Sequence, residues 1–230
     1  MAKQKVAAAA AARPQIFVLA GCNGAGKSSI GGQAFQAAGI PYFNPDLGAR
    51  EAIAAASAVG RIMTQGEANA WAWEEGVARL RRAIAQRGNY ALETTLGGDT
   101  IVGLMMEATA AGLEVNVWFV GLDSVELHVA RVQQRVARGG HDIPRADIER
   151  RYVRGRLNLI RLLPRLDQLV VYDNSAPANA DAPAKAGPRL LLRWVGGAIT
   201  GPADLSRTPA WAKPIIAAAL KLDQGRQRAS

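Results

Sequence analysis

The chain is poor in the residues that build cross-links and metal centres. Its 230 residues include one cysteine, Cys22, and two histidines, His128 and His141. A lone cysteine excludes an internal disulfide, and these three scattered side chains make no zinc-ligand cluster. Scarce cysteine fits a reducing compartment, so the expected location is cytoplasmic. Long apolar runs are missing too. No stretch reaches the roughly 20 residues that a bilayer span needs, and no membrane partner is expected. The alanine-rich start carries Lys3 and Lys5 and faintly echoes a secretory leader. Alanine is a weak membrane residue, however, so residues 1–14 read as a flexible arm. Acidic side chains are in deficit, 19 against 28 basic ones, for a net charge of +9. That balance admits nucleic acid, a membrane surface or a polyanionic small molecule, and does not choose among them.

What is present is an alternation of short apolar runs with helical patterns. Residues 16–20 form a continuous apolar run suited to a strand buried on both faces. A glycine-rich turn follows, then a helix over 27–38 closed by Gly39. Further strands are expected at 41–44, 90–96, 115–122, 169–172 and 190–195. Helices are expected at 46 onward, 64–87, 99–111, 124–138, 144–163 and from about 203. Gly88 with Asn89 breaks one helix and Gly139 with Gly140 another. This pattern implies an α/β, P-loop NTPase fold: a mostly parallel sheet of five to six strands flanked by helices, with a helical lid. One domain spans 15–200, with the lid at about 131–163, and 201–230 form a C-terminal helix and tail. In such sheets ligands sit beyond the carboxyl ends of the strands. The chemically suggestive residues mostly fall there.

Gly21-Cys22-Asn23-Gly24-Ala25-Gly26-Lys27-Ser28 fits the pattern G-x-x-x-x-G-K-[ST]. The glycines let backbone N–H groups turn toward phosphate oxygens, and the helix start adds its positive end. Lys27 suits the β- and γ-phosphates of a nucleoside triphosphate, and the Ser28 hydroxyl suits Mg²⁺. Asn23, Gly24, Ala25, Gly26 and Ser29 complete the nucleotide-binding set. By composition the pattern arises by chance in about one chain in a hundred, and here a strand precedes it and a helix follows. Cys22 occupies a free loop position and points to no chemistry of its own.

Asp46 lies just past the second strand, where a carboxylate can take a proton from an acceptor hydroxyl. Helix capping is its equal alternative. Glu93 ends the third strand and suits a Mg²⁺-bound water or substrate, and Thr94 and Thr95 suit phosphate or sugar hydroxyls. No four-residue apolar run ends in Asp-Glu as in large motor ATPases. The nearest, Leu169-Val170-Val171-Tyr172-Asp173, comes late enough for Asp173 to serve the adenine side. Arg131, Arg135 and Arg138 share one helix face, and Arg145, Arg150, Arg151, Arg154 and Arg156 follow the glycine hinge. Most of these make a solvated basic face, and Arg135 and Arg138, nearest the hinge, are the candidates to stabilise a transferring phosphoryl group. His141 reads as a polar lid contact or a plainly exposed residue, and His128 as a surface residue. Trp71 and Trp73 serve packing or cover a cleft.

The phosphate loop, Tyr42-Phe43-Asn44-Pro45-Asp46, Glu93-Thr94-Thr95-Leu96, the arginine run ending in Gly139-Gly140-His141, and Tyr172-Asp173-Asn174-Ser175 occur in that order. Over about residues 15–175 the set resembles the zeta-toxin family of P-loop kinases, in its short chromosomal branch. The resemblance implies ATP- or GTP-dependent phosphorylation, with Mg²⁺, of a UDP-activated amino sugar, typically the 3′-hydroxyl of UDP-N-acetylglucosamine. It implies Lys27 and Ser28 on phosphate and Mg²⁺, Asp46 as general base, and Glu93 and Thr95 on the substrate side. It admits an antitoxin protein as a partner. A further substrate-binding acid of that family has Glu74 and Glu75 as candidates. The basic charge keeps a nucleic-acid-associated ATPase or polynucleotide kinase as the alternative, although nucleic acid is not the expected partner. A non-catalytic nucleotide-binding module is a third class, and the presence of Asp46 and Glu93 argues against it.

Overall fold

The computed structural model describes residues 12–29, 35, 39–176 and 187–229. Seven strands, β1 (Gln15–Ala20), β2 (Tyr42–Phe43), β3 (Tyr90–Thr94), β4 (Glu114–Gly121), β5 (Gln168–Asp173), β6 (Arg189–Val195) and β7 (Ala198–Gly201), form one sheet in the order β2-β3-β1-β4-β5-β6-β7. The first five in that order run parallel, and β6 and β7 are antiparallel. The parallel strands carry apolar runs because helices cover the sheet on both faces. The helices are α1 (Pro45–Ala58), α2 (Gln65–Ala85), α3 (Asp99–Ala110), α4 (Val125–Val136), α5 (Arg145–Leu162) and α6 (Lys213–Ala229). Among the described residues no helix is long and apolar enough to cross a membrane.

The sequence reading of five to six strands falls short by β7. Val195 pairs with Ala198 across Gly196 and Gly197, both at positive φ (56° and 92°). That is the two-residue turn that suits right-twisted strands. The signal was the Gly-Gly pair itself, but the strand after it has only four residues. Helix α6 begins ten residues later than expected, because 203–212 are irregular. Of the helix expected at 27–38, a 3₁₀ turn at Lys27–Ser29 and the helical residue Phe35 are described, and the rest lies outside the described residues. Only residues 12–14 of the expected N-terminal arm are described.

Register places the site. Ala20 of β1 lies level with Thr94 of β3, so the phosphate loop leaves β1 beside Glu93. The Gly21 N–H donates to Thr94 O at 3.2 Å and binds the two strand ends together. Helix α1 starts at Asn44, whose Oδ1 accepts from Asp46 N at 2.8 Å and Leu47 N at 3.3 Å. Pro45 takes the first helical position, where its missing N–H costs nothing. Helix α5 has two characters. Its first half faces the phosphate loop, while Asn158, Leu159 and Leu162 are buried in the main core. Of the stretch expected to form the lid, Asn158, Leu159 and Leu162 are therefore packed in the core.

Trp211, just before α6, is 3% exposed and packs on Gly121 at the end of β4. A Cβ at Gly121 would fall within 3.0 Å of three Trp211 ring atoms. Gly121→Ala is therefore expected to destabilise the fold by about 3 kcal/mol through overpacking. Urea unfolding measures this, and pairing it with Trp211→Phe should restore much of the loss. An unchanged midpoint in Gly121→Ala would show that Trp211 is not fixed there.

Candidate active site

The phosphate loop is held open by its neighbours. Gly24 and Gly26 adopt positive φ (79° and 85°), a region in which a Cβ is strained. Asn23 O lies 2.7 Å from His128 Nδ1, and Asn23 Oδ1 accepts from Arg151 Nη1 at 2.8 Å. Asn174 Nδ2 donates to Ala25 O at 2.9 Å, and Cys22 Sγ donates to Ile148 O at 3.5 Å. Burial pushes the Cys22 thiol up, so it is no activated nucleophile. The Ser29 side chain lies outside the described residues.

His128 corrects the sequence reading. Expected at the surface, it is 1% exposed and, with Val132 one turn on, forms the buried face of α4. The i, i+4 spacing of these two was the available signal. Because Asn23 O can only accept, His128 Nδ1 carries the hydrogen. Burial lowers its pKa to about 4 from 6.5, against the opposing pull of that hydrogen bond. The unfolded chain thus binds the extra proton first. The stability that His128 contributes is full above pH 6.5 and is lost as pH falls toward 4, about 3 kcal/mol in all. Thermal melts of the wild type and His128→Gln between pH 7 and 4.5 test this. The wild type should lose more stability across that window, and parallel pH profiles would refute the assignment.

Glu93 is the hub of the site. It is 9% exposed, accepts from three hydrogen-bond donors and has a lysine beside it. Ser28 Oγ donates to it at 3.0 Å, Tyr42 OH at 2.8 Å and Asn44 Nδ2 at 2.8 Å, and Lys27 Nζ lies 3.6 Å away. Burial, then the neighbouring carboxylate, pushes the Tyr42 phenol well above its ordinary range, so it remains a donor. The sequence reading assigned no role to Tyr42 or Asn44. The register of β2, with Tyr42 opposite Ala91 and Phe43 opposite Leu92 of β3, brings Tyr42 and the following Asn44 to Glu93. Lys27 Nζ also donates to Cys22 O at 3.4 Å, within the loop.

Asp46 is not the helix cap. Asn44 takes that part, which leaves the Asp46 carboxylate free in the first turn of α1. Arg135 Nη1 donates to its Oδ2 at 3.1 Å, and His141 Nε2 stands 3.8 Å from its Oδ1. Arg138, by contrast, is exposed and outside the cavity wall. Arg131, Arg145 and Arg154 are spent on Ala176 O, Glu126 with Glu149, and Asp99. Arg150 and Arg151 line the cavity, and the sequence reading did not single them out.

Thr94 and Thr95 serve the backbone first. Thr94 Oγ1 accepts from Leu96 N at 3.1 Å and Thr95 Oγ1 from Gly97 N at 3.3 Å, so each hydroxyl hydrogen stays free to donate. Between them and α3, Leu96 has φ 53°, and Asn158 Nδ2 holds its carbonyl at 2.8 Å. A buried amide on α5 thus stabilises a turn that a leucine does not prefer. One cavity of about 390 Å³ joins these parts, lined by Asn23 and Lys27 of the phosphate loop together with Asp46, Thr94, Thr95 and His141. Phe43, Trp73, Val77, Leu92 and Ile101 give it an apolar wall. Glu74 and Glu75 are not in that wall, and Glu75 instead pairs with Arg79 at 2.7 Å. Asp173 pairs with Arg189 at 3.0 Å and accepts from Ser175. Among the described residues no group of three His, Cys, Asp or Glu side chains is placed to hold a metal. Ser28 and Glu93 offer two hard oxygen donors, the kind that Mg²⁺ supplements with phosphate and water.

No protein-family model matches the chain. Among solved structures, a chain of the AvrRxo1-ORF1:-ORF2 complex matches with a TM-score of 0.62 at 17% identity, over 87% of this chain and 63% of that one. A chain of the PezAT chromosomal toxin-antitoxin system of Streptococcus pneumoniae matches with a TM-score of 0.52 at 16% identity, over 76% and 75%. By sequence, an uncharacterized protein of Haemophilus influenzae is 32% identical over 81 residues, 35% of this chain and 58% of its own length. The match therefore spans less than two thirds of that relative and of the AvrRxo1 chain. Identities this low establish a common fold, and the chain has the P-loop kinase fold.

Proposed function

We propose that the chain is a phosphotransferase of the zeta-toxin type, moving the γ-phosphoryl group of ATP or GTP to a hydroxyl of a UDP-activated amino sugar. The 3′-hydroxyl of UDP-N-acetylglucosamine is the favoured acceptor. One observation carries the reading: a single cavity is lined both by Lys27 of the phosphate loop and by the Asp46 carboxylate, whose Oδ1 Arg135 leaves uncovered. A crystal structure of the AvrRxo1-ORF1:AvrRxo1-ORF2 complex with ATP matches this fold at a TM-score of 0.61, which supports the choice of donor. PezAT is a toxin-antitoxin system, and a protein antitoxin is accordingly among the partners proposed here.

The residues divide the work. Lys27 and the loop N–H groups of Gly24 and Gly26 bind the donor phosphates. Ser28 would hold Mg²⁺ directly, with Glu93 accepting the Ser28 hydrogen and binding a metal water. When bound, Mg²⁺ neutralises charge on the phosphate oxygens. Asp46 takes the proton of the acceptor hydroxyl through Oδ1, since Arg135 occupies Oδ2. Arg151, held by Asn23 and lining the cavity, offsets the charge that grows on the phosphoryl oxygens. Arg138 is exposed, and lid closure would have to bring it in. Thr94 and Thr95 donate to acceptor oxygens, and the Trp73 wall covers the acceptor's flat or apolar parts.

The test is direct. The purified chain is incubated with Mg-ATP or Mg-GTP and separate UDP-sugars, nucleosides and oligonucleotides, and products are weighed by mass spectrometry. A gain of one phosphate on a UDP-amino sugar is expected. Phosphate on an oligonucleotide and on no UDP-sugar would replace this reading with the polynucleotide kinase alternative.

A further inference from the structure

The side chain of His141 is 11% exposed, yet its ring nitrogens have no hydrogen-bond partner among the described residues. Its backbone carbonyl is fixed by Arg135 Nη2 at 3.0 Å, while Nη1 of the same guanidinium holds Asp46 Oδ2 at 3.1 Å. Arg135 therefore staples the loop after the glycine hinge onto the carboxylate. Gly140 permits the approach, since a Cβ there would lie 2.7 Å from Arg135 Cγ. The result is an imidazole Nε2 facing Asp46 Oδ1 across 3.8 Å, on the wall of the cavity that Lys27 and Thr95 share.

We propose that His141 receives the proton that Asp46 removes from the acceptor hydroxyl, and so returns Asp46 to its basic form. The inference rests on the phosphotransfer reading above. The acceptor O–H bond breaks and its electron pair forms the new O–P bond. The γ P–O bond to the bridging oxygen breaks, and its pair leaves on the nucleoside diphosphate. The proton passes to Asp46 Oδ1, then to Nε2 of a neutral ring whose hydrogen sits on Nδ1, and then to water.

The surroundings suit this step. His141 must be neutral to accept. Burial lowers its pKa, and Arg135, Arg50 and Arg151 act in the same direction, while Asp46 alone opposes them. The 3.8 Å gap must close by about an ångström, which is usual when an unliganded site takes up its reactants. A histidine that merely packed the loop would have no need to be aligned on Oδ1.

The chain has only two histidines, so ring ¹⁵N signals are assigned with His128→Gln and His141→Gln. Removing the one group that raises the His141 pKa, by Asp46→Asn, should lower its NMR-measured pKa by about half a unit or more. His141→Gln should lower kcat about tenfold to a hundredfold with both KM values within about twofold, and imidazole should restore part of the rate of His141→Ala. A wild-type kcat in His141→Gln, or a His141 titration unmoved by Asp46→Asn, overturns the proposal. A wild type that phosphorylates no acceptor defeats the phosphotransfer reading instead, and is seen before any variant is compared. The NMR titration needs no turnover and still decides whether Asp46 and His141 are coupled.

Discussion

Glu93→Gln is expected to lower phosphoryl transfer about a thousandfold and to destabilise the fold by about 3 kcal/mol. The reason is the number of donors that meet on one buried carboxylate. Tyr42, Asn44 and Ser28 all donate to Glu93, and Lys27 stands 3.6 Å away with its own side chain 8% exposed. A glutamine offers one oxygen and one NH₂ group. At least one donor then faces another donor, and Lys27 loses its buried counter-charge. Each unsatisfied buried group costs about 1–3 kcal/mol, and breaking a buried ion pair costs more. Glu93→Asp keeps the charge but shortens the reach, and should lie between the two.

Kinetics would then separate the two roles open to Glu93. If it pairs with Ser28 at the metal, Glu93→Gln raises the Mg²⁺ concentration needed for half-maximal rate and leaves acceptor KM nearly unchanged. If it binds the acceptor, as the zeta-toxin resemblance implies, acceptor KM rises and the Mg²⁺ requirement stays put. The contact between Ser28 Oγ and Glu93 favours the first outcome. A variant with wild-type kcat, KM and melting temperature would remove Glu93 from the site altogether.

The parts legible in sequence were those that local chemistry dictates. The run Ile16-Phe17-Val18-Leu19-Ala20 could only be a strand covered on both faces, and the spacing of Gly21, Gly26, Lys27 and Ser28 set the turn after it. Ser124 marked the start of α4, because its side chain caps the helix by accepting from Leu127 N, a matter of a few neighbouring atoms. What stayed hidden depends on register between distant segments. Nothing near Tyr42 or Asn44 says that they will meet Glu93, 51 and 49 residues away. The same holds for Asn158, which reaches back 62 residues to the carbonyl of Leu96. Choosing among eight arginines was harder still. They look alike in sequence, and only packing shows that Arg135 and Arg151 turn inward while Arg138 points to water. His128, expected at the surface, lies inward with Val132, one helical turn away.

Asp46→Asn is expected to have the opposite signature to Glu93→Gln: a kcat about a thousandfold lower with almost no change in melting temperature. Asp46 is 44% exposed on its side chain, and its partner Arg135 is 31% exposed. A pair so open to water contributes well under about 1 kcal/mol, and Asn44, not Asp46, caps the helix. Asparagine keeps the shape and can still accept from Arg135, so the staple to the His141 carbonyl persists. Only the capacity to take a proton is removed. ATP affinity, set by the phosphate loop, should stay within about twofold, and calorimetric titration with a non-hydrolysable analogue would read it. Full transfer activity in Asp46→Asn would place the base elsewhere. Among the described residues lining the cavity the other carboxylate is Glu93. It already accepts from Ser28, Tyr42 and Asn44, which leaves Asp46 as the carboxylate with an oxygen open to the acceptor hydroxyl.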